Sequence, residues 1–289
     1  MPRPLPLALD LYDLLGWLIG QWWLWVIIGV VVVGAIILKL IPDAKLRTSD
    51  AHSTTDAEAN ELALGYLQID NLPSGPWNDP TAPDLDEKQK QRLVEQWGIA
   101  TRDEWLANIE RLVTERRRRD VWVLCLAIRG EAAQQLSRPP KTREWVAAIA
   151  EAGGDKRDAR TFVAAVEYLE QETRKLAGRD ALPPSLITTT FDGYAIGQAV
   201  ALTTWGVALG HTDVPEARAI IHRINAEARP GFASWAEFGL SYVVGRVMHW
   251  SDGQIDEKTF RQYRDAAHSL GAALSAKRNG PWATLPWTL

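Results

Sequence analysis

Cysteine is almost absent from the sequence, since Cys125 is the only one in 289 residues. A single thiol cannot form a disulfide within the chain, and it is typical of a reducing compartment. Motifs for metal and nucleotide binding are missing as well. The sequence has no His-Glu-x-x-His pair, no phosphate-binding loop and no dinucleotide fingerprint. We therefore expect neither a metal site nor a cofactor.

The sequence also lacks an excess of positive charge. Its 32 Lys and Arg residues are outnumbered by 36 Asp and Glu residues, which gives a formal net charge of −4. Nucleic-acid binding depends on clustered Lys and Arg residues that neutralise phosphates. The one basic cluster, residues 116–119, has no accompanying pattern of aromatic residues for base stacking. We therefore expect no nucleic-acid partner.

Signals for β-strands are absent, because no stretch alternates apolar and polar residues over the length of a strand. Along most of the chain the apolar residues recur every three or four positions, which is the period of an amphipathic helix. Two helix starts carry capping boxes, Thr101 with Glu104 and Ser234 with Glu237. We predict an all-α domain over 57–275. Its helices are expected at about 57–70, 86–97, 102–118, 120–136, 141–152, 157–177, 189–209, 214–228, 234–250 and 256–275.

One long apolar run lies near the amino terminus. Residues 14–38 carry no formal charge and are mostly apolar, and a membrane-spanning helix needs roughly 20 such residues. A signal peptide has a shorter apolar core of about 7–15 residues and a small-residue cleavage site, which this run lacks. We predict a transmembrane helix over 14–41, with a tail over 1–13 before it and a polar linker over 42–56 after it.

Basic residues flank this predicted membrane helix unevenly. Lys39, Lys45 and Arg47 lie near its carboxyl end, whereas Arg3 is the only basic residue on its amino side. Positively charged flanks tend to stay in the cytoplasm. We therefore predict a single-pass protein with its amino terminus outside and its multi-helix domain in the cytoplasm.

Two proline-rich segments interrupt the helical pattern. Residues 71–85 contain four prolines and Trp77, which indicates a packed loop rather than a helix. The tail over 276–289 places Trp282 and Trp287 directly after prolines. Because two exposed Trp side chains would be an unusual surface, we expect this tail to dock on the domain.

Two motifs resemble those of a bacterial family known as a domain of unknown function, DUF1266. An early motif consists of Trp97, Gly98, Ile99, Arg102 and Leu106. A late motif consists of Ser234, Trp235, Phe238, Tyr242, Gly245 and Arg246. The resemblance implies a helical domain over roughly residues 60–255 and, with the predicted anchor, a place in the bacterial inner membrane. It implies no activity.

A central motif of the family departs from its pattern in this chain. Three uncharged residues occupy positions where the family pattern has an Asp and two Arg residues: Ala195, Gln198 and Thr204. Asp192 lies about one helical turn away. If those charged residues form a site in relatives, the resemblance implies that the site is altered or absent here.

Arg246 is the candidate ligand-binding residue with the most specific chemistry. Its neighbours on the predicted helix are mostly apolar, and an unpaired charge in such surroundings is unfavourable. An ion pair with Asp192 or Asp213 would tie two helices together. The alternatives are exposure to solvent and an anion clamp for a ligand carboxylate or phosphate, which the planar guanidinium suits.

A cleft around Arg246 would also contain Tyr242, His249 and Asp192, which makes these four residues the catalytic candidates. His249 lies three residues beyond Arg246 on the same side of the helix and can act as a general base. The alternative is a histidine that is stabilised by the negative end of the helix dipole. The same histidine can therefore belong to a site or only to a helix end.

The basic cluster consists of Arg116, Arg117, Arg118 and Arg119. One interpretation is a solvated helix end. The other uses the predicted anchor, because a tethered domain can rest basic residues on anionic lipid headgroups and gain about 1 kcal/mol per charge. These arginines are therefore the candidate membrane-surface residues.

The preferred functional hypothesis is a membrane-tethered cytoplasmic domain that binds a protein partner or a small anionic ligand. An immunity or effector-neutralising role in bacterial competition is one form of it, by analogy alone. The first alternative is an enzyme of unknown reaction with a cleft around Arg246. The second is an oligomeric membrane scaffold, because Gly16 and Gly20 have the spacing of helices that pair in membranes.

Overall fold

The computed structural model describes residues 46–72, 74–178 and 180–288. These residues form α-helices and short 3₁₀ turns without a β-strand, so the fold is all-α. Lys45–Leu289 form one compact unit. The α-helices are α1 (Ala57–Leu62), α2 (Tyr66–Asn71), α3 (Glu87–Trp97), α4 (Arg102–Thr114), α5 (Asp120–Leu136), α6 (Thr142–Glu151), α7 (Lys156–Ala177), α8 (Asp192–Ala208), α9 (Val214–Ala228), α10 (Trp235–Ser251), α11 (Glu257–Ala273) and α12 (Pro281–Thr284).

The predicted tail over 1–13 and the predicted membrane helix over 14–41 lie outside the described residues. Among the helices of the described residues, none is both long and apolar enough to cross a membrane. The predicted linker is described from Leu46 onward, and this part packs against the domain. The Asn78 side chain, for example, accepts a hydrogen bond from the backbone N–H of Ser49 at 2.7 Å.

Helix α8 lies at the centre of the domain. All its residues from Asp192 to Gly206 are buried, as expected for a helix whose composition is apolar on every side. Helices α4, α9 and α10 pack around it. Two buried threonines satisfy their hydroxyl groups within the helix, since Thr203 and Thr204 donate to backbone carbonyls one turn earlier.

Two Trp-Gly pairs, at 97–98 and 205–206, have the sequence pattern of a helix end, but only the first pair ends a helix in the structure. Gly98 ends α3 in the left-handed conformation, with φ of 60°. Gly206 lies within α8, so a carboxyl-cap role for it is wrong. A Cβ atom at Gly206 would lie 2.4 Å from the ring of Trp105. The glycine therefore permits close packing of α4 on α8, and the indole N–H of Trp105 donates to the carbonyl of Leu202.

The predicted capping boxes differ in the structure. Thr101 and Glu104 form the reciprocal pair at the start of α4. At the start of α10, the Ser234 hydroxyl accepts from the Glu237 N–H, but the Glu237 carboxylate accepts from the Ala233 N–H. The second box is therefore only half formed, because the carboxylate binds one residue earlier.

The carboxyl-terminal tail packs against the bundle through its tryptophans. The indole of Trp282 is buried and donates to the carbonyl of Ala63. The indole of Trp287 donates to the carbonyl of Phe232. The guanidinium of Arg229 lies 5.0 Å from the Trp287 ring centroid, within the range of a cation–π contact.

Candidate anion-binding site

A cavity of about 400 Å³ lies between the start of α5 and the start of α8. Its volume falls within the range of small-molecule sites. Four consecutive arginines line it: Arg116, Arg117, Arg118 and Arg119. The other lining residues are Trp122, Val123, Leu126, Ala127, Thr189, Thr190, Phe191, Asp192 and Gly231.

The arginines reach the cavity because α4 ends earlier than the sequence pattern predicts. Helix α4 was expected to continue to 118, but it ends at Thr114. Arg116 and Arg117 then adopt left-handed backbone conformations, with φ of 51° and 53°. Two successive residues with a Cβ atom are unfavourable in this region, and such strain is concentrated at functional sites.

Asp192 is the only carboxylate among the cavity residues and is 5% exposed. Arg118 binds it with two nitrogens, and Arg116 Nη1 lies 3.1 Å from its Oδ2. Burial acts to raise the pKa of Asp192, but the hydrogen bonds and charges of Arg118 and Arg116 together hold the pKa below its ordinary value. Asp192 is therefore ionised at neutral pH and fixes the two guanidinium groups.

The cavity combines positive charge with an aromatic wall. Its lining contains four arginines and one carboxylate, so four positive charges face one negative charge. Arg119 pairs with Asp252, which lies outside the lining, and its guanidinium is 4.1 Å from the ring centroid of Trp122. Phe191 lies edge-on to Trp122 at 5.8 Å. An anion with an apolar body would match both parts of this surface.

A buried ion pair holds the segment that forms one wall of the cavity. Arg129 on α5 and Glu170 on α7 are each 3% exposed, and they bind through two nitrogen–oxygen contacts. Glu170 also accepts the backbone N–H of Thr188 at 2.6 Å, and Arg129 donates to the Thr188 carbonyl at 3.1 Å. The pair thereby positions residues 189–192, which line the cavity.

Arg117 extends from the cavity toward α10. It donates to Gln198 Oε1 at 2.7 Å, and its Nη1 lies 3.1 Å from His249 Nε2. Because arginine offers only donors, the histidine Nε2 is the acceptor and Nδ1 carries the proton. Burial, followed by the charges of Arg117 and Arg119, lowers the pKa of His249 to about 4. The imidazole is therefore neutral at pH 7.

The ion pair expected for Arg246 does not form. Asp192 is bound by Arg116 and Arg118, and Asp213 caps α9 by accepting the backbone N–H of Glu216. Among the described residues, no carboxylate forms an ion pair with Arg246, and its Nε and Nη1 atoms are buried without a hydrogen-bond partner. Of the alternatives given for Arg246, the ion pair with Asp192 is therefore wrong, because Arg116 and Arg118 bind that carboxylate instead.

The remaining catalytic candidates are also distributed differently from the predicted cleft. The hydroxyl of Tyr242 donates to Gln68 Oε1 at 2.7 Å, and the side chain is fully buried. His249 contacts Arg117, and Asp192 lies in the cavity. In the part of the chain that the structure describes, no group of three or more His, Cys, Asp or Glu side chains is placed to hold a metal ion.

The interpretation of the arginine run as a solvated helix end is wrong for Arg116 and Arg117. Both are half-buried, and both bind polar groups of α8. Arg118 and Arg119 have more exposed side chains, at 46% and 42%. Contact of the run with a membrane surface stays a prediction, with these two arginines as its accessible members.

A comparison with protein families matches residues 92–287 to the family described as "Protein of unknown function (DUF1266)". The chain belongs to this family. The match begins within α3 and includes the arginine run, α8, α10 and the docked tail, so it starts and ends later than the expected range of 60–255. Comparisons with curated proteins and with solved structures found no match.

Sequence reasoning on this DUF1266 member did not identify Arg129, Glu170 or Gln198 as parts of the site. Gln198 carried a signal, because it replaces an arginine of the family pattern, and in the structure it accepts from Arg117. Arg129 and Glu170 carried none. They are 41 residues apart, and no local pattern shows that they meet.

Proposed function

We propose that the helical domain binds a small anionic ligand in the arginine cavity. The observation that carries this proposal is the convergence of four consecutive arginines on one cavity of about 400 Å³ with a single carboxylate in its lining. Preorganised guanidinium groups are favourable for carboxylates and phosphates because their positions are fixed before the ligand arrives. The left-handed backbone at Arg116 and Arg117 supports a functional role for the turn.

The ligand combines an anionic group with an apolar or aromatic body. Trp122, Leu126 and Phe191 supply apolar surface in the same cavity as the arginines. Apolar walls with a few convergent polar groups are typical of small-molecule sites. A small inorganic anion would contact the arginines but leave this apolar wall uncovered. The anionic group of a ligand would therefore cover only part of the cavity surface.

A fluorescent anion of this shape, 1-anilinonaphthalene-8-sulfonate, tests the proposal on the purified full-length protein. We expect saturable binding that Arg118→Gln weakens by about tenfold, because a charge-assisted contact is lost. Arg138→Gln is the matched control, since Arg138 binds Glu144 through two nitrogens at a similarly exposed position outside the cavity. Uncharged 1-anilinonaphthalene separates the contribution of the sulfonate from that of the rings.

Equal binding of the probe by the wild type, Arg118→Gln and Arg138→Gln would show that the cavity is not the site. Equal binding of the charged and uncharged compounds would show that the arginines contribute nothing. Circular dichroism and thermal unfolding establish that both variants are folded before affinities are compared.

We further propose that residues 14–41 tether this domain to the bacterial inner membrane, with the domain in the cytoplasm. The uncharged run at 14–38 and the basic residues after it support this arrangement. Deletion of residues 14–41 should move the protein from the membrane to the soluble fraction. Protease added to intact spheroplasts should leave the domain uncut, and cleavage there would reverse the predicted orientation.

Binding of a protein partner is the second candidate, and the surface of α5 favours it. Val121 is 70% exposed and Leu124 is 55% exposed, one helical turn apart on the same face. An immunity or effector-neutralising protein would use such a surface. Affinity capture from membranes with the wild type and with Leu124→Glu tests this candidate. If the wild type and Leu124→Glu capture a protein equally well, that protein does not bind the exposed face of α5.

The predicted homo-oligomer depends on Gly16 and Gly20, which lie outside the described residues. Crosslinking of the intact protein in membranes, compared with Gly16→Leu, tests this scaffold hypothesis. Only monomers in the wild type would contradict it.

A further inference from the structure

A second cavity, of about 410 Å³, lies between the start of α6 and the start of α7. Its lining consists of three basic residues and three smaller ones: Arg143, Lys156, Arg160, Thr142, Val146 and Ala147. The described part of the chain contributes no acidic residue to this lining. None of the six residues lines the arginine cavity, and the volume falls within the range of small-molecule sites. The cavity is therefore a separate candidate site.

The three basic side chains of this cavity are unpaired. Among the described residues, no carboxylate or other acceptor binds Arg143, Lys156 or Arg160. Lys156 and Arg160 lie one helical turn apart on α7, a spacing at which like charges repel each other. Arg143 adds a third positive charge from α6. The cavity therefore concentrates positive charge that the described residues leave unneutralised.

The carboxylates on the same two helix starts are engaged elsewhere or directed elsewhere. Glu144 binds the guanidinium of Arg138 through both of its oxygens. Glu167 accepts the hydroxyl of Thr142 at 2.8 Å, which joins α6 to α7 beside the cavity. Asp158 lies midway in sequence between the two basic residues of α7, so it is on the opposite face of that helix. With Glu167 counted beside the lining, three positive charges face one negative charge.

We propose that this cavity binds a phosphate-bearing small molecule through Arg143, Lys156 and Arg160. A phosphate monoester carries about −1.5 to −2 charges at neutral pH, which matches the excess of positive charge. The two guanidinium groups suit pairs of phosphate oxygens, and the ammonium group of Lys156 acts as a point charge. This site is separate from the one in the proposed function and does not depend on it.

The ligand consists of the phosphate and a small organic part. Val146 and Ala147 supply apolar surface in the same cavity, and a phosphate group alone would leave that surface uncovered. A phosphate attached to an organic part occurs in soluble phosphate esters and in phospholipid headgroups. The chemistry that the cavity recognises is common to both sources, so the experiment includes one compound of each kind.

Calorimetric titration of the full-length protein with glycerol 3-phosphate, in an uncharged detergent at constant ionic strength, tests the proposal. We expect saturable binding that Arg143→Gln and Arg160→Gln each weaken by about tenfold, because a charge-assisted contact is lost. Arg157→Gln is the matched control. Arg157 is exposed on the same helix, is unpaired among the described residues and does not line the cavity. A general attraction between protein and phosphate would be weakened equally by all three substitutions.

Dihexanoylphosphatidic acid below its micelle concentration provides the lipid arm, because it presents the same glycerol phosphate with two acyl chains. Binding about tenfold tighter than that of glycerol 3-phosphate would assign the site to a lipid headgroup. Equal binding would assign it to a soluble phosphate ester. Either result supports the proposal only when Arg143→Gln weakens the binding.

A variant that adds charge to the cavity gives an independent measurement. Ala147→Glu introduces a carboxylate into the lining, four residues after Arg143, and should abolish binding without the removal of a basic residue. Since residues 143, 147 and 160 are all exposed, the three variants should unfold at nearly the same temperature as the wild type. Thermal unfolding checks this before affinities are compared.

The absence of saturable binding by both compounds would overturn the proposal. Binding that Arg143→Gln and Arg160→Gln leave unchanged, or that Arg157→Gln weakens as much, would also overturn it. Binding that is lost in Arg118→Gln and kept in Arg143→Gln would place the phosphate in the arginine cavity instead. Naphthalenesulfonate binding should be unaffected by Arg143→Gln, so the two proposed sites fail separately.

Discussion

Arg118 binds both carboxylate oxygens of Asp192, with Nε 3.0 Å from Oδ1 and Nη2 2.6 Å from Oδ2. This contact joins the turn before α5 to the first residue of the central helix. Arg116 donates to Oδ2 of the same carboxylate. The geometry of the arginine cavity therefore depends on one buried acid, and the loss of that acid should affect both stability and binding.

Asp192→Asn should lower the free energy of unfolding at pH 7 by about 2 kcal/mol. This is less than the 3–5 kcal/mol of a fully buried pair, because Arg118 is partly exposed. The pKa of Asp192 is below its ordinary value of 3.8 in the folded protein. The pair therefore stabilises the wild type above that pH and is lost as the pH falls through the lowered pKa.

Urea denaturation of the wild type and Asp192→Asn at a series of pH values checks this prediction. The difference between the two proteins should narrow as the pH is lowered below about 4, because Asp192 then becomes uncharged like asparagine. A difference that stays constant into strong acid would contradict an ionised Asp192 in the folded state.

His249→Gln should change how stability depends on pH. The pKa of His249 falls from its ordinary value of 6.5 to about 4 in the folded protein. Between these values the unfolded chain binds a proton that the folded protein does not, so the contribution of His249 to stability rises with pH. Glutamine cannot titrate, but its side-chain oxygen can still accept from Arg117.

The measurement is the difference in unfolding free energy between the wild type and His249→Gln from pH 4 to pH 8. This difference should shift in favour of the wild type up to about pH 6.5 and stay level above it, and the level region serves as the internal control. A flat difference over the whole range would mean that His249 titrates alike in both states.

Gly206→Ala should destabilise the domain by about 1–3 kcal/mol, because a methyl group would overlap the ring of Trp105. Gly130→Ala is the matched control on another helix. A Cβ atom at Gly130 would lie 3.7 Å from Thr189, an ordinary contact, and alanine favours a helix. Thermal unfolding of both variants compares them, and similar stabilities would disprove the tight packing of Trp105 on α8.

The fold class was predictable because the apolar spacing and the cap of α4 are local properties. Thr101 and Glu104 are three residues apart, so their mutual capping can be inferred from the sequence without knowing which other helices pack nearby. The end of α4 was predicted wrongly, because charged residues are compatible with a helix and nothing local marks the left-handed turn at Arg116 and Arg117. The position of the arginine run was missed for the same reason.

The site itself depends on distant contacts. Asp192 was a predicted site residue, and an ion pair with Arg246 on α10 was one of the alternatives considered for it. The structure places Arg116 and Arg118, more than 70 residues away in sequence, on that carboxylate. Choosing between Arg118 and Arg246 requires knowing which helix ends meet, and periodicity in one sequence does not contain that information.

The central position of α8 affects how the chain folds during synthesis. The helices before it emerge from the ribosome first, yet Trp105 needs the Leu202 carbonyl and Ser74 binds the indole of Trp205. These contacts join segments that are 97 and 131 residues apart in sequence, and such pairings form slowly. Helices α2 and α4 therefore leave the ribosome before the helix on which they pack exists. Until α8 follows, their apolar faces are available to chaperones or to aggregation.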